Sequence, residues 1–406
     1  MTTQAILFNM FGVALASDSA TTCGTGLVQN AAEKVVALPH PHKLASLHAG
    51  QVWMQNVVHT QLVEHWAESI KDPLPHVADY AAHYLNWLVT TGSQWIAQDA
   101  GEDDILYAIR KHFKDCAEFM SQIMGSATEE NLPFHDIEKG CLRVLESAIN
   151  DLQGEPEPVG YSPIWANNTL NALAERIDAI IAVVFGNFPQ SPKFVATARD
   201  LAATILAHSD EMTPATITFV GYGTDDLAPA LVEIAVGCFY NGVLLHRTGA
   251  EVHYEVGDNA YIGVHTIGQD STIDLLLSRF NYETVNVAAG AAASRLKEIE
   301  ASIPDSEEFA ATKASIHDAR MNIGTYTYKK FQENANELKG NSLAPNLAGL
   351  PVATLAHIAH GLVSCEALNK LMLGKIPTVG GEIKAWTITK SSGCTLVNPH
   401  GHAFAL

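Results

Sequence analysis

The chain is short of positive charge. Its 406 residues carry 24 Lys+Arg against 44 Asp+Glu, a formal net charge of −20. No run of basic residues appears, which argues against a nucleic-acid surface. Cysteine is also scarce, with six (at 23, 116, 141, 238, 365 and 394) and no Cys-x-x-Cys spacing. That pattern supplies neither a zinc knuckle nor a dithiol redox pair, and it reads as separate thiols in a reducing cytoplasm. Long apolar runs are missing: no stretch reaches the ~20 residues that cross a bilayer. The chain does not open with a basic segment ahead of an apolar one, so the expectation is no secretory signal and a cytoplasmic protein.

What is present is a globular composition, 47% hydrophobic, long enough for one large core or two domains. The informative stretch comes first. Met1 precedes Thr2, and aminopeptidases remove Met before small residues. Thr2 is therefore expected to become the terminal residue, with a hydroxyl and a free amine on the same residue. A chain-terminal amine ordinarily titrates at about 7.7–8.0, so it can take the hydroxyl proton near neutrality.

The residues that follow read as a hairpin. Ala5-Ile6-Leu7-Phe8 is strand-like, residues 9–12 (Asn-Met-Phe-Gly) form the turn, and Val13-Ala14-Leu15-Ala16 returns to Ser17-Asp18-Ser19. Lys34 follows in Glu33-Lys34-Val35-Val36-Ala37-Leu38, and a further strand, residues 43–50, ends in His48-Ala49-Gly50. A Lys beside the amine would hold it in its basic form and ease loss of the hydroxyl proton. An Asp would fix that Lys by a charge-assisted hydrogen bond. Taken singly, Asp18 reads as a strand end and Lys34 as a solvated surface residue. Their order behind Thr2 is what points to chemistry.

This ordered set resembles the β-type subunits of the 20S proteasome and their bacterial relatives, which are N-terminal-nucleophile (Ntn) hydrolases. The resemblance implies Thr2 as nucleophile, Asp18 and Lys34 as its partners, and a backbone N–H of Ala49 or Gly50 as oxyanion donor, with Gly50 the chosen residue. The segment Gly380-Gly381-Glu382-Ile383, running on to Ile388, Lys390 and Gly393, is similar to the family's terminal hairpin. Near that double glycine the family carries an Asp and a Ser; the corresponding places here are Ile376 and Val379. The family also has a supporting Ser at a strand–helix junction, for which Ser271 or Thr266 are the candidates. Gly221-Tyr222-Gly223 resembles a turn of bacterial proteasome-like proteins. Its reading as a nucleotide-binding loop is weak, because the third Gly is missing and no helix pattern follows.

The resemblance covers about residues 2–96 and 213–399 and implies an α+β fold, an αββα sandwich with a large helical insertion. Residues 1–100 and 213–406 form the expected core, residues 101–212 the insertion, and residues 282–348 an enlarged helical connection. Periodicity predicts helices over 51–71 and 75–95, then 104–124, 134–152, 168–184 and 192–208. An independent helical domain is the alternative for 101–212. A closing helix from residue 352 should bury Leu355, Ile358, Ala359, Leu362 and Val363. The pairs His357/His360 and His59/His65 lack a third ligand at metal-site spacing, so neither metal nor cofactor is expected. His400 and His402 read as solvated.

Two functions follow. One is a threonine-type peptidase or amide hydrolase acting on peptide or protein substrates, with homo-oligomeric rings implied by the resemblance. The other is a catalytically inactive relative with a structural or partner-binding role.

Overall fold

The computed structural model describes residues 2–22, 28–97, 100–130, 134–254, 261–278, 282–304, 306, 308–338, 344–373 and 378–397. The chain begins with β1 (Thr3–Asn9), β2 (Gly12–Ser17), the short ladder β3 (Thr21–Thr22) and β4 (Val28–Gln29), β5 (Val35–Ala37) and β6 (Lys43–Gly50). A second short ladder, β7 (Trp53–Met54) and β8 (Val57–Val58), leads into α1 (His59–Ser69) and α2 (Val77–Thr90). Five helices follow: α3 (Ala100–Glu130), α4 (Phe134–Gln153), α5 (Pro163–Ala172), α6 (Ala174–Val184) and α7 (Pro192–His208). Strands β9 (Ala215–Tyr222), β10 (Ala230–Tyr240), β11 (Val243–Val252) and β12 (Ile262–Gly268) come next. Helices α8 (Ser271–Ser278), α9 (Tyr282–Ser302), α10 (Ala310–Leu338), α11 (Ala344–Ala348) and α12 (Val352–Met372) precede the last pair, β13 (Lys384–Thr389) and β14 (Gly393–Val397).

This is a mixed helix-and-sheet chain with antiparallel pairing, and it divides into two compact units. The first holds residues 1–45, 221–230 and 253–406. Its sheet has the order β12-β1-β2-β13-β14. The β1–β2 hairpin closes at Asn9 opposite Gly12, and Asn9 Oδ1 accepts the Phe11 N–H at 2.9 Å. Helix α12 covers this sheet. Leu355, Ala356, Ala359 and Val363 are fully buried against Ala5, Leu7, Ala14, Ala16 and Ala385. Small residues on the strands let the helix approach closely, and its apolar stripe has the period the sequence showed.

The second unit holds residues 46–220 and 231–252. Strands β11, β10, β9 and β6 are neighbours in that order. Trp66 of α1 is fully buried, with Tyr84 and Phe219 at centroid distances of 5.1 and 5.5 Å, both edge-on. That geometry suits the quadrupoles of aromatic rings. A second core lies among α3 to α7, built on Ile105, Ile109, Phe113, Phe185, Phe194 and Leu201. No helix among the described residues is long and apolar enough to cross a membrane.

Two local expectations need correction. Residues 51–58 are not helical; they form the β7–β8 ladder, with Gln55 at φ 57° in its turn. Val52, Val57 and Val58 favour extended backbone, and Gln55-Asn56 supplies the turn. The helix expected over 168–184 is two, α5 and α6, which break at Leu173. Ile376, His400, His402 and Cys23 lie outside the described residues.

Candidate active site

Thr2 leads into β1 and is 5% exposed. Its carbonyl accepts the Gln269 N–H at 2.7 Å. The bend that allows this is Gly268, at φ +87°, where a Cβ would lie 2.1 Å from the Thr2 oxygen. Only glycine fits a left-handed backbone at so close an approach.

Asp18 ends the return strand and is 2% exposed. Its carboxylate is a hub. Oδ1 accepts the Thr3 N–H at 3.0 Å and the Lys34 ammonium at 2.7 Å; Oδ2 accepts the Gly380 N–H at 3.2 Å. Hairpin pairing fixes this arrangement, since Gln4 lies opposite Ser17 and the Asp18 N–H reaches Thr3 O at 3.3 Å. The double glycine is tied in from the other side, because Ser19 N–H donates to Gly380 O at 3.2 Å.

Lys34 is 6% exposed. Its Nζ also donates to Ala20 O at 2.5 Å. Burial pulls its ammonium below the ordinary value, and the charge of Asp18 and its hydrogen bond oppose that pull. A buried ammonium held this way is primed for electrostatic work, because water does not screen it. The shared oxygen places Nζ one hydrogen-bonded atom from the Thr3 amide, at the start of the chain's first strand.

The structure therefore joins Asp18 to Lys34 directly and sets that pair at the peptide N–H between Thr2 and Thr3, all within the first unit. Gly50, the other named residue, belongs to the second unit, at the end of β6. It has φ +78°, and a Cβ there would lie 2.1 Å from Pro214 O, so the position requires glycine. The next residue, Gln51, donates its N–H to the same carbonyl at 3.0 Å.

Two members of the cluster were not chosen as site residues from sequence, although the double glycine was singled out as a motif. The Gly380 amide completes the hub around Asp18. Gln269 is the other: beyond its bond to Thr2, its carbonyl accepts the Thr3 hydroxyl at 2.6 Å and its Oε1 accepts the Thr378 hydroxyl at 2.7 Å. The two hydroxyls considered for this junction point elsewhere. Thr266 donates to Asp270 at 2.9 Å, and Ser271 to the buried Glu366 at 3.3 Å. The sequence signal was the Gly268-Gln269 pair at the strand–helix junction, where a left-handed glycine turns the next residue back towards β1. Val379 is 1% exposed and apolar. Among the described residues no group of three or more His, Cys, Asp or Glu is placed to hold a metal ion.

No protein family matches the chain, and no curated protein does. Among solved structures, similar ones include the Anbu (Gly-1) mutant from Hyphomicrobium sp. strain MC1, at 10% identity and a TM-score of 0.33, covering 98% of this chain and 85% of that one. Anbu (ancestral beta-subunit) from Yersinia bercovieri is similar at 7% identity and a TM-score of 0.31, covering 99% of this chain and 89% of that one. Likeness at this level carries no residue role, activity or assembly to this chain.

Proposed function

We propose that the chain is a proteasome-like Ntn amide hydrolase of αββα architecture, acting as a threonine-type peptidase through Thr2 once Met1 is removed. One observation carries the reading: a buried carboxylate, Asp18, binds the Thr3 amide and the Lys34 ammonium through a single oxygen. A surface lysine would have neither the burial nor that partner.

In this mechanism the Thr2 Oγ attacks the carbonyl carbon of a peptide bond, and the Thr2 amine takes the hydroxyl proton. Lys34 keeps the amine unprotonated by charge repulsion, and Asp18 holds Lys34 in place. The resemblance gives the oxyanion N–H to Ala49 or Gly50. The proton passes to the departing amine, which leaves an ester on Thr2. Water, deprotonated by the same amine, cleaves that ester and restores the hydroxyl.

The test is hydrolysis of fluorogenic peptide amides by the processed chain and by Thr2→Ala. Loss in the variant supports the reading; retained hydrolysis overturns it. Homo-oligomeric assembly belongs to the same reading and is tested by sedimentation. The buried, apolar Val379 favours the second reading, an inactive scaffold with the same fold. Retention of Met1 in the purified protein would support that alternative.

A further inference from the structure

Helices α3 and α4 open into a cleft of about 490 Å³ on the second unit. On α3 it is lined by His112, Asp115, Cys116, Phe119 and Gln122. These are one face of a helix, at i, i+3, i+4, i+7 and i+10. On α4 it is lined by Val144, Ser147, Ala148, Asp151 and Leu152, again a single face. At 1.5 Å per residue, the lined lengths come to about 12–15 Å, two to three turns of each helix. The volume is in the range of specific binding sites, roughly 300–1,000 Å³.

The chemistry of the lining is lopsided. The floor is apolar, and Phe119 stands 61% exposed beside it. Two exposed carboxylates, Asp115 and Asp151, flank the apolar floor, and among the described residues no Lys or Arg lines the cleft. Among the described lining residues, the one group able to become a cation is His112. Its Nε2 lies 2.7 Å from the Ser209 hydroxyl, and burial pulls it below its ordinary value, so it stays neutral at pH 7. Lys111, its neighbour in sequence, is taken up by Glu211.

We propose that this cleft is a docking groove for a basic amphipathic helix of a partner polypeptide, with apolar residues at i, i+3, i+4 and i+7 and Lys or Arg on either side. The elongated shape between two helices suits a third helix laid into the groove. The charge complement sets the sign: lysines beside the apolar stripe meet Asp115 and Asp151, and acidic peptides are repelled. The inference is independent of any catalysis at Thr2.

The probe is a fluorescein-labelled helical peptide with Leu at i, i+3, i+4 and i+7 and Lys at the flanks, titrated into the full chain by anisotropy. A twin carries Glu in place of Lys. With a net charge of −20 the chain attracts cations anywhere on its surface. The deciding readouts are therefore specific to the cleft. Ala148→Trp, which fills the floor, should weaken the Lys peptide by about tenfold or more. Asp115→Lys with Asp151→Lys, both at exposed positions, should weaken the Lys peptide by a similar factor and bring the Glu peptide up to measurable binding. Equal binding of the Lys peptide to wild type and to the charge-reversed chain overturns the proposal, whatever Ala148→Trp does to folding. So does a dimer of this chain that dissociates on charge reversal, since a second copy would then be the occupant.

Discussion

Removing Asp18 should be among the most damaging single changes in the first unit, and its cost can be worked from the contacts. In Asp18→Ala the Lys34 ammonium, its side chain 5% exposed, loses this carboxylate. Stranding one partner of a buried ion pair costs about 3–5 kcal/mol. The Thr3 and Gly380 amides lose their acceptor as well. Lys34→Met is milder, because the carboxylate keeps both backbone N–H donors and the apolar replacement fills similar space; about 1–3 kcal/mol is expected. The double variant removes the stranded charge and takes away the partner of the two amides and of the Ala20 carbonyl. It should therefore fall short of the sum of the singles by about 2 kcal/mol. Urea unfolding followed by tryptophan fluorescence measures all three. Additive losses, or an Asp18→Ala cost under about 1 kcal/mol, would mean that the pair is solvated and would refute the reasoning.

Acid should destabilise the second unit. His48 and His59 are buried, and burial pushes them down to about 3 and about 4, from 6.5. Their folded values lie below the unfolded one, so the stability they contribute is complete above pH 6.5 and is lost as pH falls towards 4 and then 3. The loss is about 1.4 kcal/mol per pH unit for each, and His59→Leu should flatten the slope of unfolding free energy between pH 6.5 and 5; an unchanged slope would count against it. Gly268→Ala should cost about 1–3 kcal/mol and displace Thr2, because the backbone is left-handed and the methyl meets the Thr2 carbonyl; normal stability in a melt would contradict the contact. Gln269→Glu adds a carboxylate to the residue whose backbone N–H binds the Thr2 carbonyl, and a negative charge near the amine favours its protonated form. The pH profile of Thr2 labelling should then move to higher pH, and an unmoved profile would show that Gln269 does not sense the amine.

Much of the first unit was legible from the residues. The β1–β2 hairpin announced itself through two short apolar strands around an Asn-to-Gly turn. Helix α12 followed from its stripe of Leu355, Ala359, Leu362 and Val363. The spacing of Asp18 and Lys34 behind Thr2 was legible too. Asp18 directly follows the return strand of that hairpin, whereas Lys34 lies just before β5, a strand of the other sheet, and meets Asp18 only through the fold. What escaped was set by contacts distant in sequence. Gly380 reaches Asp18 only because β13 pairs with β2, and Gln269 reaches Thr2 only because β12 pairs with β1. Residues 51–58 misled because Val52, Met54, Val57 and Val58 match a helical period while their branching favours strand. The break at Leu173 between α5 and α6 carries no Pro or Gly to mark it.

The central claim is that Thr2 is a nucleophile with a free amine. A peptide epoxyketone tests it, because its stable ring needs both a hydroxyl and an adjacent amine on one residue. Intact mass after incubation should show a chain lacking Met1 that carries one adduct, mapped to Thr2 and missing in Thr2→Ala. A chain that has lost Met1 and still takes no adduct, or takes it elsewhere, would contradict the account.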